Sequence, residues 1–270
     1  MFDARPIGIF DSGVGGLTVL EALTQRFPHE GFIYLGDTAR VPYGTKSART
    51  VERYSVQVAD CLLRRGVKGL VVACNTASAL GLAALRAHCP VPVLGVIEPG
   101  CRAAIGVTAA REEPGRVGVI GTRSTVSSGA YPYHLAMLDP RIQVLSLACP
   151  LFVPLVEEGW VDHPAVRMIV EESLTPLFAQ RLDALILGCT HYPVLKKVIA
   201  ETMPGVALVD SSAAVADDLG RYLGGVIRTA PPGQTRRLEF LVTDVADRFK
   251  ETARRFIAGV EAEWVEMVDL

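Results

Sequence analysis

Short, continuously apolar runs alternate along the chain with longer stretches in which apolar residues recur at helical spacing. The runs predict strands at Ile7–Phe10, Phe32–Gly36, Leu70–Ala73, Val93–Ile97, Val117–Gly121, Gln143–Leu147, Ala184–Gly188 and Val206–Val209. The periodic stretches predict helices, for example at Leu17–Phe27, Ser47–Arg65, Ser78–Ala87, Pro164–Ala179 and Val194–Thr202. Alternation of this kind builds right-handed βαβ units, so the expected class is α/β with mainly parallel sheets. Strands covered by helices on both faces are apolar at every position, and these runs have that character. Near the C-terminus, 236–243 reads as a strand, Asp244–Ala258 as a helix and Val260–Val268 as a strand or a helix end. These would extend the first sheet.

Two segments repeat one pattern. LVVACNTAS (70–78) and LILGCTHYP (185–193) each run from an apolar stretch through a small residue to a cysteine and then to polar residues. A second correspondence, IGIFDSGVGG (7–16) with VGVIGTRSTV (117–126), lies at a similar offset. Two matches at nearly one offset point to an internal duplication. Ligands of open α/β sheets bind beyond the carboxyl ends of the strands. Two such domains facing each other would therefore hold both cysteines in one cleft.

Composition narrows the classes. At 270 residues, 50% hydrophobic and 21% charged, the chain has the profile of a globular protein with about two domains. A formal charge of −2 gives no electrostatic reason to expect nucleic acid or an anionic membrane as partner. The basic run from Arg40 to Arg53 is expected to be a solvated helix face. No stretch approaches the ~20 apolar residues of a bilayer span. MFDARPIGIF lacks the pattern of a signal peptide, and the expected compartment is the cytoplasm. Disulfides are not expected there, and no C-x-x-C pair is present. Cys61, on a helix face with Tyr54, Val58 and Leu62, is read as a small buried hydrophobe, as are Cys89, Cys101 and Cys149 near element ends.

Cys74 and Cys189 are the exceptions. A helix N-terminus following each would lower the thiol from its ordinary value of about 8.5 and would also bind a carboxylate. His191, close to Cys189, is placed to relay a proton or stabilise a thiolate. The competing reading is a pair of buried cysteines in tight βα turns, against which stand the polar followers Asn75-Thr76 and Thr190-His191. Asp11-Ser12-Gly13-Val14-Gly15-Gly16 resembles a phosphate-binding turn but lacks the P-loop lysine and the G-x-G-x-x-G spacing. Its aspartate would repel phosphate, and suits an amino group or a proton; a helix N-cap is the alternative. Pro42-Tyr43-Gly44 by itself is a turn, and Glu157 by default is solvated surface. No pyridoxal phosphate setting, intact nucleotide motif or local metal spacing is found, so no cofactor is expected. Two thiols facing each other across a carbon supply one base and one acid, as stereochemical inversion at a C–H centre requires.

Taken together, D-S-G-V-G-G at 11–16, P-Y-G at 42–44, A-C-N-T-A-S at 73–78, L-V-E-E-G at 155–159 and G-C-T-H-Y-P at 188–193 resemble the glutamate racemases in order and spacing. The resemblance covers essentially the whole chain. It implies two pseudosymmetric α/β domains with the active site in the cleft between them. One would comprise 1–98 with 210–270 and carry Asp11 and Cys74; the other, 99–209, would carry Glu157, Cys189 and His191. The implied activity is cofactor-independent interconversion of L- and D-glutamate, supplying D-glutamate for bacterial peptidoglycan. On this resemblance Cys74 is the base for the D-enantiomer and Cys189 for the L-enantiomer. Asp11 assists Cys74, His191 assists Cys189, and Glu157 is a supporting carboxylate. Asp11, Ser12, Pro42, Tyr43, Gly44, Asn75, Thr76, Thr122, Thr125, Thr190 and His191 match substrate-binding positions. The expected partner is this small-molecule substrate, with no nucleic acid and no membrane, and a homodimer is left open. Three rival readings stand beside it: a racemase of a related amino acid such as aspartate, a Cys₂His zinc enzyme built on Cys74, Cys189 and His191, and an amino-acid-binding protein without catalysis.

Overall fold

In a computed structural model of the chain, which describes residues 2–109, 113–244, 246–254, 256 and 265–270, the strands fall into two sheets. In chain order they are β1 (Ile7–Asp11), β2 (Phe32–Gly36), β3 (Leu70–Val72), β4 (Val93–Gly95), β5 (Arg116–Gly121), β6 (Gln143–Ala148), β7 (Ala184–Gly188), β8 (Ala207–Asp210), β9 (Leu238–Val242) and β10 (Val265–Met267). The first sheet is ordered β10-β9-β2-β1-β3-β4 and the second β6-β5-β7-β8. Every pairing is parallel. The α/β class holds, and the C-terminal strands extend the first sheet as expected.

The duplication suggested by the cysteine segments appears as topology. In each sheet the first strand of the set (β1 or β5) lies between the second and third, and the fourth lies outside the third. The order therefore reverses between β1 and β3, and again between β5 and β7, and such reversal points open crevices at the strand carboxyl ends. Register places the chemistry there. Phe10 pairs with Val72, so Asp11 and Cys74 leave the first sheet close together. Gly121 pairs with Gly188, which sets Thr122 and Cys189 side by side just beyond the second.

Burial follows the sequence pattern. β1, β2 and β7 are buried at every position, whereas the edge strand β6 is only partly covered. Helix Ser211–Tyr222 packs against both helix Leu17–Arg26 and helix Ile97–Thr108. One apolar core runs continuously from Ile7 and Leu20 to Ile120 and Leu187, tying the two sheets together.

Several element bounds differ from expectation for local reasons. The run Val93–Ile97 is a strand only to Gly95, because Ile97 opens a helix; Pro99 falls in its first turn, where a missing N–H costs nothing. Cys101 lies inside that helix rather than near an element end. The helix predicted at Ser78–Ala87 is two, Asn75–Leu80 and Leu82–His88, divided at Gly81. Pro164–Ala179 is α-helical to Leu174 and then tightens into a 3₁₀ turn, Thr175–Gln180, where Pro176 cannot continue the ladder. Helix Ala246–Ala253 replaces Asp244–Ala258, of which 245, 255 and 257–258 lie outside the described residues, as do 260–264 of Val260–Val268; β10 accounts for its end. Arg40 is not part of a solvated helix face. It precedes helix Ala48–Arg64, turns in to Asp37 and stacks over Tyr54 at 4.3 Å. Among the described residues no helix is long and apolar enough to cross a membrane.

Candidate active site

One cavity at the facing strand ends is lined by both exceptional thiols, Cys74 and Cys189. Ser12, Pro42, Tyr43, Gly44, Asn75, Thr76, Thr122, Thr190 and His191 also line it. Three expected site residues stand just behind this lining. Asp11 is fully buried at the end of β1, Thr125 is buried beneath Thr76, and Glu157 lies behind His191. All six cysteines are free thiols. Among the described residues no three His, Cys, Asp or Glu side chains converge to hold a metal ion, so Cys74, Cys189 and His191 do not make the ligand set of the zinc reading.

Cys74 caps helix Asn75–Leu80. Its backbone is extended, and its Sγ accepts the Ala77 N–H at 3.4 Å, the position usually served by a serine or aspartate oxygen. Ser12 Oγ lies 3.7 Å from the same sulfur. The lowering expected from a helix N-terminus is nevertheless outweighed. Burial, followed by the neighbouring Asp11 charge, pushes the Cys74 thiol up to about 12, against the smaller opposing pull of Ala77 and Ser12. Cys74 is therefore a neutral thiol near pH 7. Asp11 does not cap a helix; its Oδ2 accepts the Gly13 N–H at 3.0 Å, while helix Leu17–Arg26 begins without a side-chain cap. Burial pushes this carboxyl up as well, opposed by the His191 charge and by the N–H groups of Gly16, Gly13 and Ser12.

Cys189 has a different setting. The segment after it is a 3₁₀ turn, Tyr192–Leu195, which precedes helix Lys196–Thr202, so the predicted helix at Val194 starts later. The Tyr192 hydroxyl anchors the turn by donating to the Cys149 carbonyl at 2.8 Å. His191 Nδ1 lies 3.9 Å from Cys189 Sγ, and Nε2 lies 3.2 Å from Glu157 Oε1. Burial pulls the imidazole down. Its hydrogen bonds to Cys189 and Glu157, with the Cys189 and Asp11 charges, outweigh that and take it up to about 10. His191 is thus an imidazolium at neutral pH, a positive charge facing the sulfur. Starting from an ordinary value of 6.5, the stability this proton contributes is fully present below about pH 6.5 and is lost as pH rises toward 10. In a proton NMR titration the His191 ring resonance should stay flat between about pH 6 and about pH 8, the range where an ordinary histidine changes charge. A midpoint in that interval would remove the charged pair.

The remaining groups form a polar collar. The hydroxyls of Thr76, Thr122 and Thr125 make a triangle with 3.0 Å sides that joins the two halves of the chain. Thr122 also caps helix Arg123–Ser127 by accepting the Thr125 N–H. Ser124 Oγ donates to the Gly44 carbonyl at 2.8 Å, pinning the Pro42-Tyr43-Gly44 turn to the opposite half. A Cβ on Gly44 would come within 2.6 Å of Thr122 Cβ, so glycine is required there for close approach.

The sequence model of the Asp/Glu/hydantoin racemase family matches residues 12–219. The glutamate racemase of Syntrophus aciditrophicus (strain SB) is 46% identical over 269 residues, covering 99% of this chain and 98% of its own. The chain belongs to the Asp/Glu/hydantoin racemase family. Solved members share its fold. The crystal structure of glutamate racemase from Thermus thermophilus in complex with β-chloro-D-alanine matches with a TM-score of 0.87 at 46% identity, over 99% of this chain and 98% of that one. The structure from Francisella tularensis subsp. tularensis SCHU S4 in complex with D-glutamate matches with a TM-score of 0.89 at 36% identity, over 98% of each chain.

Three side chains that support the racemase site escaped the sequence reading. Asp37, fully buried beyond β2, accepts hydrogen bonds from the Tyr43 hydroxyl, from Thr243 Oγ1 at 2.9 Å and from Arg40 Nε at 3.1 Å. It thereby holds the Pro42-Tyr43-Gly44 turn from behind. The Tyr34 hydroxyl donates to the Gly13 carbonyl at 2.8 Å, fixing the turn whose N–H binds Asp11. Tyr131 donates to Asn75 Oδ1 at 2.6 Å. Tyr34 and Tyr131 act through contacts distant in sequence, and Asp37, though near Arg40 and Tyr43 in the chain, carries no local mark of the turn it holds.

Proposed function

We propose that this chain interconverts L- and D-glutamate without a cofactor, Cys189 acting as the base for L-glutamate and Cys74 for D-glutamate. One observation carries the reading: a cysteine follows the carboxyl end of each of the equivalent strands β3 and β7, and both thiols line one cavity. Glutamate as substrate is supported by the similarity to the Syntrophus aciditrophicus glutamate racemase and by the relative with bound D-glutamate. The two domains are taken as 1–98 with 210–270 and as 99–209. Six free thiols suit a reducing cytoplasm, where the product would supply peptidoglycan synthesis.

In the L-to-D direction the Cys189 thiolate, held by the His191 imidazolium, removes the Cα proton. The Cys74 thiol then gives its proton to the opposite face, leaving Cys189 protonated and Cys74 as thiolate. The starting state returns when Cys189 gives its proton to solvent and Cys74 regains one, the His191 imidazolium favouring the returning Cys189 thiolate and the Asp11 carboxyl standing beside Cys74, with Glu157 orienting the imidazole. The carbanionic transition state is the costly species, and fixed donors around the substrate carboxylates supply stabilisation that water would have to reorganise to give. Asn75, Thr76, Thr122 and Thr190, with Ser12 and the Tyr43-Gly44 turn, provide such a collar; Thr125 supports it from behind.

The test follows both thiols at once. Protein stripped with a chelator and dialysed is supplied in deuterated water with protiated L-glutamate, and the enantiomers are separated at low conversion for mass spectrometry. D-glutamate should carry deuterium at Cα almost completely, while residual L-glutamate gains little. Substantial protium in the first product would point to one base serving both faces. Activity returning only with zinc or pyridoxal phosphate would overturn cofactor independence. Faster turnover of aspartate would transfer the reading to that substrate, and affinity without turnover would leave a binding protein.

A further inference from the structure

Tyr131 is 1% exposed, on the helix Ala130–Leu138 within the crossover from β5 to β6. Its ring is wedged between two glycines. A Cβ on Gly188, the residue before Cys189, would lie 3.1 Å from Tyr131 Cε2, and one on Gly100 would lie 3.8 Å from Cε1. From there the hydroxyl crosses to the other half of the chain and donates to Oδ1 of Asn75, the residue after Cys74, at 2.6 Å. The ring thus spans from one cysteine segment to the other. Asn75 is 3% exposed and lines the cavity, yet its Nδ2 is buried without a hydrogen-bond partner. A buried amide donor left unpaired is destabilising, so its retention calls for an acceptor that arrives later.

We propose that Tyr131 is a positioning residue for substrate binding: by fixing Oδ1 it turns the Asn75 Nδ2 into the cavity, where it donates to a substrate carboxylate. The orientation matters because the asparagine head is two-faced. Held as it is, it offers a donor to an anion; rotated by half a turn, it offers a carbonyl oxygen and repels that anion. Once the phenol oxygen is removed, both orientations become accessible. This inference rests on the glutamate reading for the identity of the ligand, but the orientation is measured separately from turnover.

Tyr131→Phe keeps the ring between Gly100 and Gly188 and deletes only the hydroxyl. KM for both enantiomers should rise about tenfold, the lower range for a hydrogen bond to a charged group, with a smaller change in kcat. Asn75→Ala should raise KM at least as much. In the Asn75→Ala background, Tyr131→Phe should move KM by less than about twofold, because residues acting as one unit are not additive. Equal KM increases in both backgrounds, or a lowered melting temperature with KM unmoved, would make Tyr131 a packing residue and overturn the proposal. The wild-type protein supplies an independent measurement. On titration with D-glutamate the Asn75 side-chain amide protons should shift downfield in ¹⁵N-resolved NMR, and unshifted resonances at saturation would also overturn it. Wild-type protein that binds D-glutamate with this shift but turns nothing over would remove the racemase reading and leave the orientation standing.

Discussion

Cys74→Ser and Cys189→Ser should each lower kcat/KM by about 10²–10⁴-fold, the scale of a lost general acid or base. The two losses must appear equally in both directions. A racemisation has an equilibrium constant of one, so the ratio of forward to reverse kcat/KM is fixed at one in every variant. In the proposed mechanism each direction also uses both sulfurs, one to take the proton and the other to return one. Serine keeps the shape and the hydrogen bond from the Ala77 N–H but is a far weaker acid than the thiol. Cys61→Ser and Cys101→Ser are the controls. These thiols are buried in helices away from the cavity, so polar replacements will cost stability while leaving turnover per folded molecule near its starting value. Chiral chromatography from each enantiomer, with melting temperatures for all four variants, checks the expectation. Near-native turnover in a folded Cys74 or Cys189 variant would sink the two-thiol assignment.

What could be read from the residues was what local pattern encodes. β1, β2 and β7 are continuous apolar runs because helices cover both faces, and their ends fall within a residue of expectation. The repeat was legible because the strand–cysteine–polar order is local, and the equivalent strand orders of the two sheets follow from it. Helix Ile97–Thr108 was obscured because Val96-Ile97 prolongs an apolar run and Pro99-Gly100 looks like a break, although a first turn accepts proline. The Cys74 setting is hidden from the sequence for another reason. The helix end was visible in the sequence, but the burial that outweighs it depends on how the two halves close. The same holds for Glu157, which reads as surface and reaches His191 only through the packing of helix Phe152–Glu157 beside the Tyr192 turn.

Gly15→Ala should lower kcat by about 100-fold, the cost of misplacing a catalytic group by roughly an ångström. The glycines of Asp11-Ser12-Gly13-Val14-Gly15-Gly16 resemble a phosphate-binding turn that lacks its lysine and spacing, and the structure gives Gly15 another use. A Cβ at Gly15 would lie 2.6 Å from His191 Nδ1 and closer still to Thr190 Oγ1. The backbone of one half of the chain therefore touches the imidazole of the other, and only a bare Cα leaves room. Its φ is not in the left-handed region, so the requirement is for space rather than conformational freedom. A methyl group there must push His191 away from Cys189 Sγ or from Glu157 Oε1, and either movement weakens the positive charge that faces the Cys189 sulfur. Gly106→Ala is the matched control: it adds the same methyl group inside helix Ile97–Thr108, where nothing lies within 4 Å. It should leave turnover unchanged and raise stability by about 0.5–1 kcal/mol. If Gly15→Ala turned over as fast as the Gly106 variant while His191 kept its proton across neutral pH, the close approach of the two halves would have no part in setting the imidazolium beside Cys189.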